Sequence, residues 1–284
     1  MLKKLLKGAV IGIANIIPGV SGGTMAVSMG VYDKLIHAVT HIFSEFKESV
    51  KLVAPIILGA LIGIVGLSFA IEYLLRVYPV QTNFMFIGLI MGGLPVILQK
   101  FKETGKKITI GRGAIFFIFF AVVIAMAVLG ETEGNAADVS FSLINVVKLF
   151  FVGMIASATM VIPGVSGSMV MMLMGYYNTI VTAITEFFKA LFSMDVPGIL
   201  EGFGILAPMG VGILLGIAVI AKIIEIIFAK APDYAYCGII GLIVASPIAI
   251  ILMSDFTRYS FVSILVGCVT FVAGYWIANK LGGE

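Results

Sequence analysis

The chain has 284 residues, 61% of them apolar and only 12% charged, with a mean hydropathy of +1.16 and a formal net charge of +3. A soluble domain, with about a quarter of its residues charged, is excluded. The small positive excess is scattered through short loops and forms no basic block of the kind that binds nucleic acid.

The chain opens on MLKKLLKGAVIGIANIIP, which imitates a secretory leader. Asn15 and Pro18 interrupt its apolar run and no small-x-small cleavage pattern follows, so the segment is expected to be retained. A broken apolar segment occupies about 8–31, and continuous runs of membrane length follow at about 52–76, 82–99 and 112–130. A second broken segment at about 149–176 precedes further runs at about 204–229, 235–253 and 260–279.

The two broken segments share five residues, PGVSG, at Pro18–Gly22 and Pro163–Gly167, 145 positions apart. Gly8, Ile17, Met29, Gly30, Tyr32, Ala38, Thr40 and Phe43 recur at the same offset. After the offset changes to 153, Pro55, Gly59, Gly63, Glu72, Pro79 and Gly88 recur as Pro208, Gly212, Gly216, Glu225, Pro232 and Gly241. The chain is a duplicated unit, with halves at 1–140 and 141–284. Hydrophobic segments interrupted at corresponding places are the sequence-level pointer to a transport site.

Basic residues gather on the cytoplasmic side of membrane proteins, which orients the segments. If each PGVSG segment crossed completely, Lys100, Lys102, Lys106, Lys107 and Arg112 would lie outside while Lys3, Lys4 and Lys7 lay inside. If each segment dips in and returns, all of these are cytoplasmic together with Lys34, Lys47, Lys51, Lys230 and Lys280. Only Arg76, Lys148, Lys189 and Arg258 then stay outside, beside an acidic loop of Glu131, Glu133 and Asp138. The charges favour the second arrangement. The expected fold is therefore an all-α polytopic membrane protein of two inverted-topology repeats. Each repeat has one re-entrant hairpin and three transmembrane helices, and both termini are cytoplasmic.

The tips carry the chemistry. Pro18 lacks an amide hydrogen and disfavours helix at Ile17, so a first short helix should stop there. Gly19, Gly22 and Gly23 open conformations closed to other residues, and Ser21 is a good N-cap for a helix running through Thr24. Pro163, Gly164, Ser166, Gly167 and Ser168 repeat the device. Each tip is expected to offer unpaired backbone N–H groups at the positive end of a helix, which suits an anion such as phosphate. Asn15, Thr24, Ser157 and Thr159 are candidate linings of the surrounding cavity.

Glu72 and Glu225 form a symmetric pair of candidate ion-coupling residues, for a proton or sodium. Arg76 and Lys222 stand at helical contact spacing from them, so salt-bridged interfacial charges are the plainer alternative. His37 and His41 form an i,i+4 pair on a short helix with no carboxylate at a completing spacing, and read as a solvated face. Cys237 and Cys268 stand singly inside predicted spans, and the run Met169, Met171, Met172, Met174 reads as adaptable packing. No metal and no cofactor are expected.

The run from Gly8 to Thr24, GAVIGIANIIPGVSGGT, resembles the hallmark of the bacterial polyprenyl-phosphate transporter family (PopT type), formerly a domain of unknown function. PGVSGS at Pro163–Ser168 matches too, and the resemblance covers essentially the whole chain. It implies a non-enzymatic translocase of the bacterial cytoplasmic membrane that returns undecaprenyl phosphate from the outer to the inner leaflet for reuse in cell-envelope synthesis. Inverted repeats with two re-entrant hairpins are also what the family implies. Undecaprenyl-pyrophosphate phosphatases share a similar plan, but carry Arg directly after the Ser of their re-entrant segments. Here those positions are Gly22 and Gly167, which removes the natural clamp for a developing phosphoryl charge. A phosphatase-like enzyme and a secondary transporter of another anion are the alternatives.

Overall fold

The computed structural model describes residues 1–15, 21–129, 137–140, 142–254 and 260–282, without the side chains of residues 67–69 and 72. Among these residues the backbone forms helices and no strand. The first half contains α1 (Leu2–Ala14), α2 (Gly22–Ser28), α3 (Tyr32–Thr40), α4 (Phe46–Val77), α5 (Pro79–Glu103) and α6 (Ile110–Leu129). The second contains α7 (Leu143–Val161), α8 (Gly167–Leu173), α9 (Tyr177–Ser193), α10 (Val196–Lys230), α11 (Pro232–Met253) and α12 (Phe261–Gly282). The order of long and short elements is the same in both. Helices α5 and α11 each begin on the duplicated proline at their first position, where its missing amide hydrogen costs nothing.

Among the described residues seven helices are long and apolar enough to cross a membrane, six of them at the expected runs. The seventh is α7, expected as one arm of a hairpin; its 19 residues suffice for a span by themselves. Helix α1 does not, because it has 13 residues and carries Lys3, Lys4 and Lys7. Large apolar side chains stay exposed along α4, α6, α10 and α12, among them Leu61, Phe117, Leu214 and Val269. Hydrocarbon rather than water is the solvent that accepts such faces.

The chain divides into two compact units: Met1–Val128, Ile162–Val165 and Ala221–Glu284 form the first, Leu129–Val161 and Ser166–Ile220 the second. In the first unit α5 packs on α11. Helix α12 runs parallel to α5, with Gly88 set against Phe271 and Gly92 against Tyr275; a Cβ on Gly88 would stand 2.1 Å from the Phe271 carbonyl oxygen. Helix α6 packs on α11 in the same way, through Gly241 against Phe116 and a core of Val123, Ala127, Leu242, Ala245 and Ala249. The last helix of each half therefore covers the central helix of the other.

Also in the first unit, α1 and α4 run parallel in close contact, with Gly8 against Ile56, Gly12 against Ala60 and Gly59 against Leu5. The Lys4 ammonium donates to the Lys51 carbonyl at 3.3 Å. The second unit repeats the pattern: α7 runs parallel to α10, with Gly212 against Phe150 and Gly216 against Met154 and Ser157. Glycines at these crossings let two backbones approach where any side chain would hold them apart. Parallel neighbours also mean that the chain between them comes back to the level from which the first helix started.

Candidate functional site

In the first motif copy α1 ends at Ala14 with Asn15 as its C-cap, and Ser21 is the extended residue preceding α2. Pro18, Gly19 and Ile17 lie outside the described residues. Ser21 holds the N-cap position, but its hydroxyl makes no capping bond. Asn15 does this instead: its Oδ1 accepts the Gly22 N–H at 3.2 Å, while its Nδ2 donates to the Ile11 carbonyl at 3.1 Å. The end of α1 thus closes the start of α2. Asn15 is exposed, whereas Ser21, Gly22 and Thr24 are buried and Gly23 is half-buried.

In the second copy α7 stops at Val161, just before the residue preceding Pro163, as the crowding of an Xaa-Pro bond requires. Ile162 to Val165 make a tight turn, with the Val165 N–H donating to the Ile162 carbonyl at 3.4 Å and Gly164 at a φ of 78°. Proline followed by a left-handed glycine is the chemistry of a type II turn. Ser166 then caps α8, its Oγ accepting the Met169 N–H at 3.4 Å and meeting the Ser168 hydroxyl at 2.9 Å.

The two copies meet within the first unit. The Gly164 N–H donates to Thr24 Oγ1 at 2.7 Å, across 140 positions of chain. Thr24 is fully buried. Gly164 itself packs against Leu242 and Val123, whose atoms would stand 3.1 Å from a Cβ placed there.

Two expectations are corrected here. Gly22 and Gly167 were expected to use backbone conformations closed to other residues; they are instead the first helical residues of α2 and α8, and among the described motif residues the left-handed glycine is Gly164. What Gly22 and Gly167 provide is close approach: a Cβ would stand 2.6 Å from the Asn15 side chain at Gly22, and 2.6 Å from Met160 at Gly167. The tips also expose fewer amides than expected. Those of Gly22, Gly164 and Met169 are taken by Asn15, Thr24 and Ser166. The N–H groups of Gly23, Thr24, Gly167 and Ser168 find no acceptor among the described residues. Ser157 and Thr159 donate to their own helix, to the Met154 carbonyl at 3.1 Å and the Ala156 carbonyl at 2.7 Å.

Of the symmetric carboxylates, the Glu72 side chain lies outside the described residues and Arg76 is exposed. Glu225 pairs with Lys222 at 2.6 Å, as the spacing suggested. Its other oxygen, however, lies 3.3 Å from His41 Nδ1 and 3.8 Å from His37 Nδ1, and His37 Nε2 lies 3.3 Å from Glu45. The fold thus supplies the histidine pair with the carboxylate that local spacing lacked. No signal in the sequence joins α3 to α10, because the two are remote in the chain.

Thr24→Val keeps the shape of the side chain and removes the acceptor of the Gly164 amide. A buried donor left unpaired costs about 1–3 kcal/mol. The expected outcome is a lower melting temperature, largely restored in Thr24→Ser; thermal unfolding of the purified variants checks it.

A family model described as VCA0040-like, undecaprenyl phosphate translocase-like, matches residues 11–204, a stretch that holds both motif copies. The chain is 32% identical over 282 residues to the polyprenyl-phosphate transporter of Staphylococcus aureus (strain NCTC 8325 / PS 47), covering 98% of this chain and 95% of that protein. It is 28% identical over 202 residues to the polyprenyl-phosphate transporter of Vibrio cholerae serotype O1 (strain ATCC 39315 / El Tor Inaba N16961), covering 66% of this chain and 61% of that one. No solved structure matches.

Proposed function

We infer, from the premise that this chain belongs to the VCA0040-like, undecaprenyl phosphate translocase-like family, that it is a multi-pass translocase returning undecaprenyl phosphate from the outer to the inner leaflet of the bacterial cytoplasmic membrane. The observation that carries this is the bond from Gly164 to Thr24, which joins the two motif copies at one buried place. A phosphate monoester needs convergent donors and exclusion from hydrocarbon, since an unpaired ion there is very costly. In the first copy the amides of Gly23 and Thr24, and separately in the second those of Gly167 and Ser168, have no acceptor among the described residues, and each pair stands at the start of a helix whose dipole favours an anion. The polyprenyl tail stays in the bilayer, so only the head group has to be shielded. No bond is broken in this cycle, and the protein acts as a carrier rather than an enzyme.

Inversion of the two repeats is supported by which residues touch. Five polar pairs join groups that the charge rule assigns to one side only if each motif segment returns: Lys4 with Lys51, His41 with Glu225, Arg112 with Asp233, Asn83 with Ser254, and Ala137 with Gly175. Full crossings would require each of these pairs to span the membrane. The parallel course of α1 with α4, and of α7 with α10, argues in the same direction.

In a variant lacking Cys237 and Cys268, a single cysteine at Lys106 is therefore expected to react with an impermeant maleimide only from the cytoplasm, and one at Asp138 only from outside. Reaction of the Lys106 cysteine from outside, or of the Asp138 cysteine from the cytoplasm, would end the inverted-repeat model. For the activity, proteoliposomes containing a fluorescent short-chain polyprenyl phosphate are expected to move the head group between leaflets far faster than protein-free vesicles. Equal rates would overturn the assignment. Release of inorganic phosphate from undecaprenyl pyrophosphate at enzyme-like rates would favour the phosphatase alternative.

A further inference from the structure

We propose that His37, His41 and Glu225 form a binding site for one divalent transition-metal ion of the zinc class, separate from the motif tips. Their ligating atoms all lie within 4.8 Å of one another. Four-coordinate zinc, with bonds of about 2.0–2.2 Å, sets its donor atoms roughly 3.3–3.5 Å apart. The 3.3 Å from His41 Nδ1 to Glu225 Oε1 has that spacing already, and the 3.8 Å from His37 Nδ1 needs a shift of a few tenths of an ångström. Two imidazoles and a carboxylate form a borderline donor set that suits zinc, cobalt or nickel better than magnesium or calcium.

The surroundings fit a metal site. The two rings lie with centroids 4.1 Å apart, brought to one side by their i,i+4 spacing at the end of α3. His37 presents Nδ1 to the site while its Nε2 faces Glu45 at 3.3 Å, the outer carboxylate that fixes the tautomer and orientation of a ligating histidine. The His37 side chain is 55% exposed and borders an open cavity of about 370 Å³ lined by Asp33, Lys34, Glu45 and Glu48. That leaves an acidic entry path and room for a water in the fourth position. Two features oppose binding: the Lys222 ammonium holds the other oxygen of Glu225 at 2.6 Å and competes for its charge, and His41 Nδ1 lies 3.0 Å from Thr40 Oγ1 and 3.2 Å from the His37 carbonyl, contacts that a bound ion must displace. The site occurs once, because the duplicated positions carry Thr182 and Glu186 in place of the histidines. A bound ion would tie α3 of the first half to α10 of the second.

The test uses full-length, tag-free protein in detergent, titrated with Co²⁺ as the visible probe and Zn²⁺ as competitor. The expected result is one saturable Co²⁺ equivalent with ligand-field bands of a four- or five-coordinate ion, bleached by Zn²⁺, and a rise in melting temperature with Zn²⁺. His37→Gln/His41→Gln and, separately, Glu225→Gln are expected to weaken Co²⁺ binding at least tenfold and to remove the Zn²⁺-dependent rise. Lys222→Met is expected to tighten binding several-fold, and this variant keeps all three ligands should the others fail to fold. Absence of saturable binding in the wild-type protein, or unchanged affinity in the ligand variants, overturns the site. Neither result depends on lipid transport.

Discussion

Gly164→Val is expected to abolish transport of the polyprenyl phosphate while leaving protein in the membrane. At a φ of 78°, a side chain costs about 1–2 kcal/mol for the left-handed conformation, and a β-branched one costs more. The new atoms would also press on Leu242 and Val123, within a core that includes Ala245 and Ala249. Turning the peptide to relieve either strain moves the Gly164 N–H away from Thr24, so the link between the motif copies is lost with the turn. Gly164→Ala should fall between wild type and Val. The checks are leaflet exchange in proteoliposomes and membrane yield; wild-type exchange by Gly164→Val would remove this turn from the site.

The second large effect is expected at the helix crossings. In Gly59→Val the first added carbon would sit 2.1 Å from the Leu5 carbonyl oxygen, and in Gly212→Val 2.0 Å from that of Phe150. The opposing atoms are helix backbone and cannot rotate away, so the cost should exceed the roughly 1–3 kcal/mol usual for an overpacked core. Both variants are expected to lose the folded protein, seen as collapse of the monodisperse peak in detergent gel filtration. By contrast, Gly113→Val has open space around it and should leave that peak unchanged. Equal loss in all three would mean that the crossings are not what glycine is needed for.

How much of this was legible in the sequence varies with the range of the forces involved. Membrane-length helices follow from hydropathy, and their starts at Pro79 and Pro232 from proline's tolerance at the first helical position. The break after Val161 follows from Pro163. The function of the crossing glycines was only half legible: duplication marked Gly8, Gly59, Gly63, Gly153, Gly212 and Gly216, but not whether they served a ligand or a neighbouring helix. The chemistry of the tips was misjudged where a side chain reaches in from elsewhere. Asn15 replaces Ser21 as the cap because it stands at the end of α1, and Thr24 meets Gly164 across 140 positions of chain. Gly164 was named with the second tip, and its left-handed turn follows from the Pro-Gly dipeptide, which favours a type II turn. The pairing of Glu225 with His41 could not be read in this way, because no local spacing encodes a contact between remote helices.

The covering of α5 by α12, and of α11 by α6, bears on how the protein is made. A chain emerging from the ribosome inserts α5 long before α12 exists. The glycine face at Gly88 and Gly92 must therefore wait in the bilayer, uncovered, until the last 22-residue helix has been synthesised. Neither half is a self-sufficient product. A gene divided between the two halves would have to deliver both pieces to the same membrane before either could close its seam, because each central helix finds its cover only in the other piece.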